Sequence, residues 1–291
     1  MKDLKQISVI GLGLLGGSIT LAVSRCLSGV KTAGYTHRPD TRRKARRLAT
    51  VIKVFDDIRL SVSEADLVIL ATPIHAFEEI FRQIRDVLPA GCIVTDVGST
   101  KVLPHRWASK HLPETIHYVG SHPIAGSEQR GIEFARDDLF DQAVCILTTT
   151  KKTNRSAVEV LRRFWSQLGC SVKLMGPVEH DRIFANVSHL PHIVAAALIN
   201  ASDSEELKFA GKGFIDTSRI ASGPANIWSD ILLTNANNTV KGIDRIIVEL
   251  SKLKKAIKSP NEKQLEKLLE SARAKRARLI KHKIKKKEII S

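Results

Sequence analysis

In the first 175 residues, short apolar runs alternate with segments whose apolar positions recur every three or four residues. The runs at 7–10, 32–35, 65–71, 92–97, 118–120, 143–148 and 171–174 read as strands. Segments 14–27, 42–48, 76–87 and 156–168 read as helices between them. Alternating strands and helices predict a doubly wound parallel sheet. The strands lack a clean in–out alternation, as expected of a sheet covered on both faces. The pattern changes at Met175-Gly176-Pro177. Beyond it 178–201, 225–250 and 262–285 read as helices, 207–222 is looser, and no strand is predicted. The chain therefore divides into an α/β domain over 1–175 and an all-α domain over 176–291.

The first run ends in Gly11-Leu12-Gly13-Leu14-Leu15-Gly16. Between a strand and a helix this spacing is a dinucleotide fingerprint. The first glycine permits the tight turn, the second a close approach of the pyrophosphate, and the third close packing of helix on strand. The α/β domain is thus Rossmann-like. An NAD site usually carries Asp or Glu at the end of the second strand, to accept from the ribose hydroxyl. Here Thr36, His37 and Arg38 stand there instead, with Asp40 beyond Pro39 and Arg42 and Arg43 close behind. Donors and positive charge suit a phosphate, so NADP is favoured over NAD. The bland alternative is Arg38 stacked on adenine and a solvated basic helix. Thr72 and Pro73, closing the third predicted strand, are assigned to the same cofactor cleft.

Bulk properties narrow the setting. The chain has 291 residues, 43% of them hydrophobic and 26% charged, as in a globular protein. No run approaches the ~18 uninterrupted apolar residues of a membrane span, and no secretory leader is expected. The four cysteines have no metal or redox spacing and read as reduced thiols, so a cytoplasmic protein without a metal is expected. The net charge is +16, and more than half of it comes from the nine basic residues of 273–287, a stretch with no acidic residue. No aromatic residues interleave there to stack bases, which argues against nucleic acid.

Three further segments carry chemistry: Asp96-Val97-Gly98-Ser99-Thr100-Lys101, Ser121-His122-Pro123-Ile124-Ala125-Gly126-Ser127-Glu128 and Val187-Ser188-His189-Leu190-Pro191-His192. With the glycine fingerprint and Gly211-Lys212-Gly213-Phe214-Ile215-Asp216-Thr217-Ser218-Arg219-Ile220-Ala221, they stand in the order found in prephenate and arogenate dehydrogenases, and the chain resembles that family over nearly its whole length. The resemblance implies an oxidative decarboxylation of a cyclohexadiene bearing a ring hydroxyl and a ring carboxylate. It implies His122 as the base that takes the hydroxyl proton, and Ser99 as a hydrogen-bond partner of that hydroxyl. Ser99 also reads as a helix N-cap. Arg219 is the candidate clamp for a substrate carboxylate, its alternative being an ion pair with Asp216. His192 is a candidate substrate contact, with His189 structural. Ser127 and Trp228 are candidate pocket walls, and Glu128 either pairs with a cation or lies on the surface.

The favoured substrate is prephenate. Arogenate differs only in carrying an amino group where prephenate has a keto group, and the sequence does not separate them. The apolar helices of the second half are expected to pair with a second copy as a homodimer. Two rival readings remain: another two-domain hydroxyacid or imine dehydrogenase, which leaves the His-Pro segment unexplained, and a nucleotide sensor or nucleic-acid binder using the basic tail.

Overall fold

The computed structural model describes residues 4–48, 53–125 and 129–285. By contact density the chain forms two compact units, 1–236 and 237–291.

The first unit is built on a six-stranded parallel sheet. Its strands are β1 (Gln6–Ile10), β2 (Lys31–Tyr35), β3 (Lys53–Phe55), β4 (Leu67–Leu70), β5 (Ile93–Asp96) and β6 (His117–Tyr118). Their spatial order is β3-β2-β1-β4-β5-β6. The chain winds outward from β1 in both directions, which makes the carboxyl end of β1 the switch point where ligands collect in such sheets. Both faces are covered. Leu67 and Ile69 enter one core cluster while Val68 and Leu70 enter the other. A period of two with apolar residues on both sides explains the unbroken Leu-Val-Ile-Leu run. The first cluster packs α1 (Leu14–Cys26) on the sheet and continues into α6 (Arg155–Gln167), and the second packs α3 (Ile58–Val62), α4 (Phe77–Ile84) and α5 (Val102–His111).

The predicted single strand at 118–120 is in fact a break between two sheets. Tyr118 ends β6, Val119 is fully buried, and β7 (Gly120–Ile124) opens a second, three-stranded sheet with β8 (Val144–Thr148) and β9 (Ser171–Met175). β7 runs antiparallel to β8, and β9 parallel to it. His122 therefore stands inside a strand, paired with Ile146. β3, which the apolar pattern does not predict, is a three-residue edge strand with no buried residue.

After β9 no further strand occurs among the described residues. The expected helix 178–201 is present but interrupted: α7 (Pro177–Phe184), a π turn (Ala185–His189) and α8 (Leu190–Asn200). A proline inside a helix clashes with the carbonyl four residues back and lacks an N–H. Pro191 sits at the start of α8, and the wider π turn before it absorbs that misfit. By length and composition, 177–200 is also apolar enough to cross a membrane, which a search for uninterrupted apolar runs does not detect. Within the protein it carries the fully buried polar residues His180, Asp181 and His189. α9 (Ser204–Leu207), α10 (Lys212–Ser218), a 3₁₀ turn (Arg219–Ser222) and α11 (Ala225–Thr234) follow. Lys212 thus begins a helix within the segment 207–222 that the sequence reads as looser. The second unit consists of α12 (Ala236–Lys258), whose first residue still belongs to the first unit, and α13 (Glu262–Lys285).

Candidate active site

The glycine turn at the end of β1 has a different physical requirement at each glycine. Gly11 has φ +101°, and its N–H donates to the carbonyl of Tyr35 at 2.8 Å. A Cβ there would stand 2.5 Å from the carbonyl oxygen of Ala71. A Cβ on Gly16 would collide with the carbonyl of Gly11, so the two glycines let the turn fold on itself. A Cβ on Gly13 would meet nothing within 4 Å. Its reason for being glycine therefore lies outside the polypeptide. No side chain caps α1, which begins one residue later, and its first-turn amides face that opening. Open space before an uncapped helix N-terminus fits a pyrophosphate. Leu12 is buried, and Leu14 and Leu15 pack on the core, anchoring the turn. The main chain of Ala71 and Thr72 runs beside Gly11, and Pro73 follows directly.

At the end of β2, Thr36 is buried and its carbonyl accepts from Arg42 Nη1 at 2.7 Å. Arg42 also pairs with Asp56 at 2.8 Å, and Arg43 pairs with Asp40, both in or beside α2 (Pro39–Arg47). His37 and Arg38 are exposed at the rim, and no acidic partner of Arg38 is found among the described residues.

The second half of the site centres on His122. Its Nδ1 lies 2.9 Å from Nε2 of His180, 58 residues away on α7. Nδ1 of His180 lies 2.8 Å from Asp181 Oδ1. The same carboxylate accepts the N–H groups of Lys101 at 2.7 Å and Val102 at 2.9 Å. Two main-chain donors hold the Asp181 carboxylate as an acceptor, so His180 donates to it through Nδ1 and accepts through Nε2. His122 must then donate from Nδ1, which leaves its Nε2 unprotonated as the outer end of the array. Phe184 stacks on His180 and lies against His122, with ring centroids 4.5 and 4.8 Å away.

Burial, reinforced by His180, Lys101 and His189, holds the pKa of His122 well below 6.5. Burial first, and then the charge of Lys101, pushes His180 down to about 2. Both rings are neutral near neutrality. Asp181 is shifted upward by burial, opposed by the two main-chain amides. A neutral imidazole held in one tautomer by a second imidazole and a carboxylate can accept a proton and disperse the charge.

Ser99 is half-buried in the loop between β5 and α5. It does not cap α5: the helix starts at Val102, and its leading amides are taken by Asp181. Lys101, fully buried, closes the loop by an ion pair to Asp96 and bonds to the carbonyls of Gly98 and Thr100. Tyr118 Oη donates to the other Asp96 oxygen at 2.6 Å.

A third cluster surrounds α8 and α11. His192 stacks on Trp228 with centroids 3.6 Å apart and planes 8° apart. A side chain at Gly223 would strike both rings. Burial lowers the pKa of His192, opposed by a hydrogen bond to the main chain of Ile220. His192 Nδ1 and His189 Nε2 are buried polar atoms with no hydrogen-bond partner among the described residues. Arg219, exposed, opens the 3₁₀ turn that includes Ile220, and Asp216 meets Lys212 at 3.1 Å. On α11, Asp230 accepts the N–H groups of Ile74 at 2.6 Å and His75 at 3.1 Å, which ties the helix of Trp228 to the segment just after Thr72-Pro73.

The structure thus brings His192 beside Trp228, and Arg219 one residue from a His192 contact. Ser127, Gly126 and Glu128 lie outside the described residues. Sequence reasoning missed His180, Asp181, Phe184 and Asp230. The only signal was a His-Asp pair at the start of an apolar helix, and nothing in the chain says that it faces residue 122.

The chain matches the nucleotide-binding domain of prephenate dehydrogenase over residues 19–174 and the dimerization domain of prephenate dehydrogenase over 176–271. It is 35% identical to prephenate dehydrogenase of Bacillus subtilis, across 94% of this chain and 75% of that one. It is 33% identical to cyclohexadienyl dehydrogenase of Zymomonas mobilis, across 98% of this chain and all of the other. A crystal structure of prephenate dehydrogenase from A. aeolicus, in complex with hydroxyphenyl propionate and NAD+, superposes with a TM-score of 0.88 at 34% identity, covering 96% of this chain and 99% of that one. With a nucleotide-binding sheet, an imidazole array beside it and matches across both halves, the chain belongs to the prephenate dehydrogenase family.

Proposed function

We propose that this chain is a cytoplasmic enzyme that oxidatively decarboxylates prephenate to 4-hydroxyphenylpyruvate. The observation that carries the reading is the His122–His180–Asp181 array, which leaves His122 Nε2 as a neutral acceptor. Nε2 takes the proton of the ring hydroxyl as hydride departs from the carbon that bears it. A bound nicotinamide supplies the hydride acceptor. The ring carboxylate leaves as carbon dioxide, and its bonding electrons complete the aromatic ring. The phenolate oxygen then recovers the proton from His122. Ser99 hydrogen-bonds the hydroxyl, Arg219 holds a carboxylate, and His192, Trp228 and Ser127 wall the ring. Arogenate would undergo the same steps, since only its side chain differs.

Gly11, Leu12, Gly13, Leu14, Leu15 and Gly16 would hold the cofactor's pyrophosphate, Thr36, His37 and Arg38 would meet its adenosine ribose, and Thr72 and Pro73 would complete the cleft. We favour NADP. Arg42 and Arg43 are occupied by Asp56 and Asp40, which leaves His37 and Arg38 for a 2′-phosphate. The A. aeolicus relative was crystallised with NAD+, so this choice needs its own measurement.

The protein acts as a homodimer. The dimerization-domain match accompanies large apolar side chains left exposed, such as Phe209 at 88% and Leu233 at 75%. A monomeric mass at micromolar concentration would refute this. The deciding experiment follows reduced-cofactor absorbance with prephenate and with arogenate, each with NAD and NADP. Turnover of prephenate with NADP is expected. No turnover in any of the four combinations would overturn the function.

A further inference from the structure

The Lys101 ammonium is fully buried and carries three N–H bonds. Each has an acceptor: Asp96 Oδ1 at 2.5 Å, the carbonyl of Gly98 at 2.6 Å and the carbonyl of Thr100 at 3.2 Å. The two carbonyls belong to the residues on either side of Ser99. Fixing the Gly98 carbonyl orients the peptide group that enters Ser99, and fixing the Thr100 carbonyl pins the chain one residue beyond it, so together they limit where the Ser99 hydroxyl can point. Asp96 is itself held from three sides, by Lys101, by Tyr118 Oη and by the Gly98 N–H at 2.7 Å. The Lys101 stem passes over Gly120, where a Cβ would stand 2.9 Å from Lys101 Cδ. Gly120 is two residues before His122 on β7. The Lys101 main-chain N–H donates to Asp181 Oδ1, the oxygen that also receives His180.

We propose that Lys101 is a positioning residue for the oxidation: its ammonium clasps the loop on both sides of Ser99, and its main chain ties that loop to the His122–His180–Asp181 array. The hydroxyl-binding arm and the proton-accepting arm are thereby held in one register. Lys101 touches neither substrate nor cofactor. It acts through Ser99, so the inference rests on the role proposed for Ser99 above.

Removing the ammonium alone would strand the Asp96 carboxylate in the interior, where an unpaired charge is strongly destabilising. The test therefore uses the double variant Asp96→Asn/Lys101→Met, which removes both charges. Its folding is checked by circular dichroism and thermal melting. Four full-length proteins are compared: native, the double variant, Ser99→Ala, and all three changes together. Steady-state kinetics with prephenate and cofactor give kcat and KM.

The expected result is a folded double variant whose kcat falls ~30-fold while KM for the cofactor stays within about twofold, the pattern of a lost transition-state contact. In the Ser99→Ala background the same two changes should lower kcat by less than about threefold, because residues acting as a unit are non-additive. A folded double variant with native kcat overturns the proposal. So does a full ~30-fold further loss on top of Ser99→Ala, which would place the effect elsewhere than Ser99. Native kcat in Ser99→Ala itself overturns the role of Ser99, and the proposal with it. The two failures are therefore distinguishable. If the double variant does not fold, Gly120→Ala, whose Cβ would press on Thr148 Oγ1 at 2.6 Å and on Lys101 Cδ at 2.9 Å, is taken through the same cycle, with Thr148→Val as the control for the Thr148 contact. Native kcat in Gly120→Ala, or an undiminished further loss on top of Ser99→Ala, then overturns the proposal in the same way.

Discussion

The glycine turn and the histidine array sit in the same unit, yet they are built on opposite principles. The turn uses main-chain atoms from one contiguous stretch: Gly11, Gly13 and Gly16 act by having no side chain. The array uses side chains 58 residues apart, on a strand and a helix that pack together. A backbone site survives most changes around it but tolerates no Cβ. A side-chain array tolerates drift in its neighbours only while each ring keeps its tautomer. The difference teaches where each site is vulnerable.

The largest effect should come from the array's outer end. His122→Asn removes the base and should lower kcat ~10²- to 10⁴-fold, the usual span for lost general-base catalysis. Unchanged kcat would remove His122 from the chemistry. Asp181→Asn keeps the shape but replaces an acceptor with a group that can donate. It should cost about 10²-fold in kcat, below the ~10⁴ seen when a hydrolytic triad is forced into the wrong tautomer. Native turnover there would mean that the tautomer is set by something else.

The glycine turn offers a sharper contrast. Gly16→Ala meets the Gly11 carbonyl and should destabilise the fold by ~3 kcal/mol or more, by overpacking against backbone. Gly13→Ala has space in the protein and should leave the melting temperature nearly unchanged, while raising KM for the cofactor ~10-fold. Equal effects of the two changes on stability would erase the distinction between a glycine kept for the fold and one kept for a ligand.

The pH response separates the two regions again. Burial holds His105 and His189 at about 4 and His180 at about 2 in the folded protein. In the unfolded chain histidine titrates near ~6.5. Above that value both states are neutral and these groups add nothing. Below it the unfolded chain takes up protons that the folded protein refuses, so stability falls as pH drops, by about 1.4 kcal/mol per unit for each such histidine. Melting temperature should decline from pH 6.5 to 4, whereas kcat, depending on a His122 that stays neutral well below 6.5, should hold over the upper part of that range. A kcat that titrates near 6.5 would contradict the buried, neutral state of His122. The smallest expected effect is at the rim of the turn. Arg38→Ala should weaken NADP about fivefold and leave NAD unchanged, within the range of one exposed charge-assisted contact. Equal changes for both cofactors would remove the basis for preferring NADP.

Much of the fold was legible because it is locally encoded. The apolar run 65–71 became β4, with Leu67–Leu70 buried on both faces, and the helix read at 42–48 is present as α2, which begins three residues earlier at Pro39. The break between β6 and β7 was not legible. Tyr118, Val119 and Gly120 form one apolar stretch, and only the antiparallel pairing of Gly120–Ile124 with Val144–Thr148 turns the chain into a second sheet. The π turn before Pro191 was equally hidden, because a proline predicts disruption without saying how the chain absorbs it.

By itself the sequence determined the glycine turn and the lack of an acidic residue at the end of β2, which depend on residue type and near neighbours. The candidates His122, Ser99, His192, Arg219 and Trp228 came from the family resemblance carried by motifs in order along the chain. The tertiary structure alone decided which side chains act together. His180 and Asp181 reach His122 because α7 packs beside β7, Lys101 joins Asp181 to the Ser99 loop, and Trp228 meets His192 across a gap that only Gly223 leaves open. Hydrogen bonds and ring stacking act over a few ångströms in space, and position along the chain sets no such distance between elements.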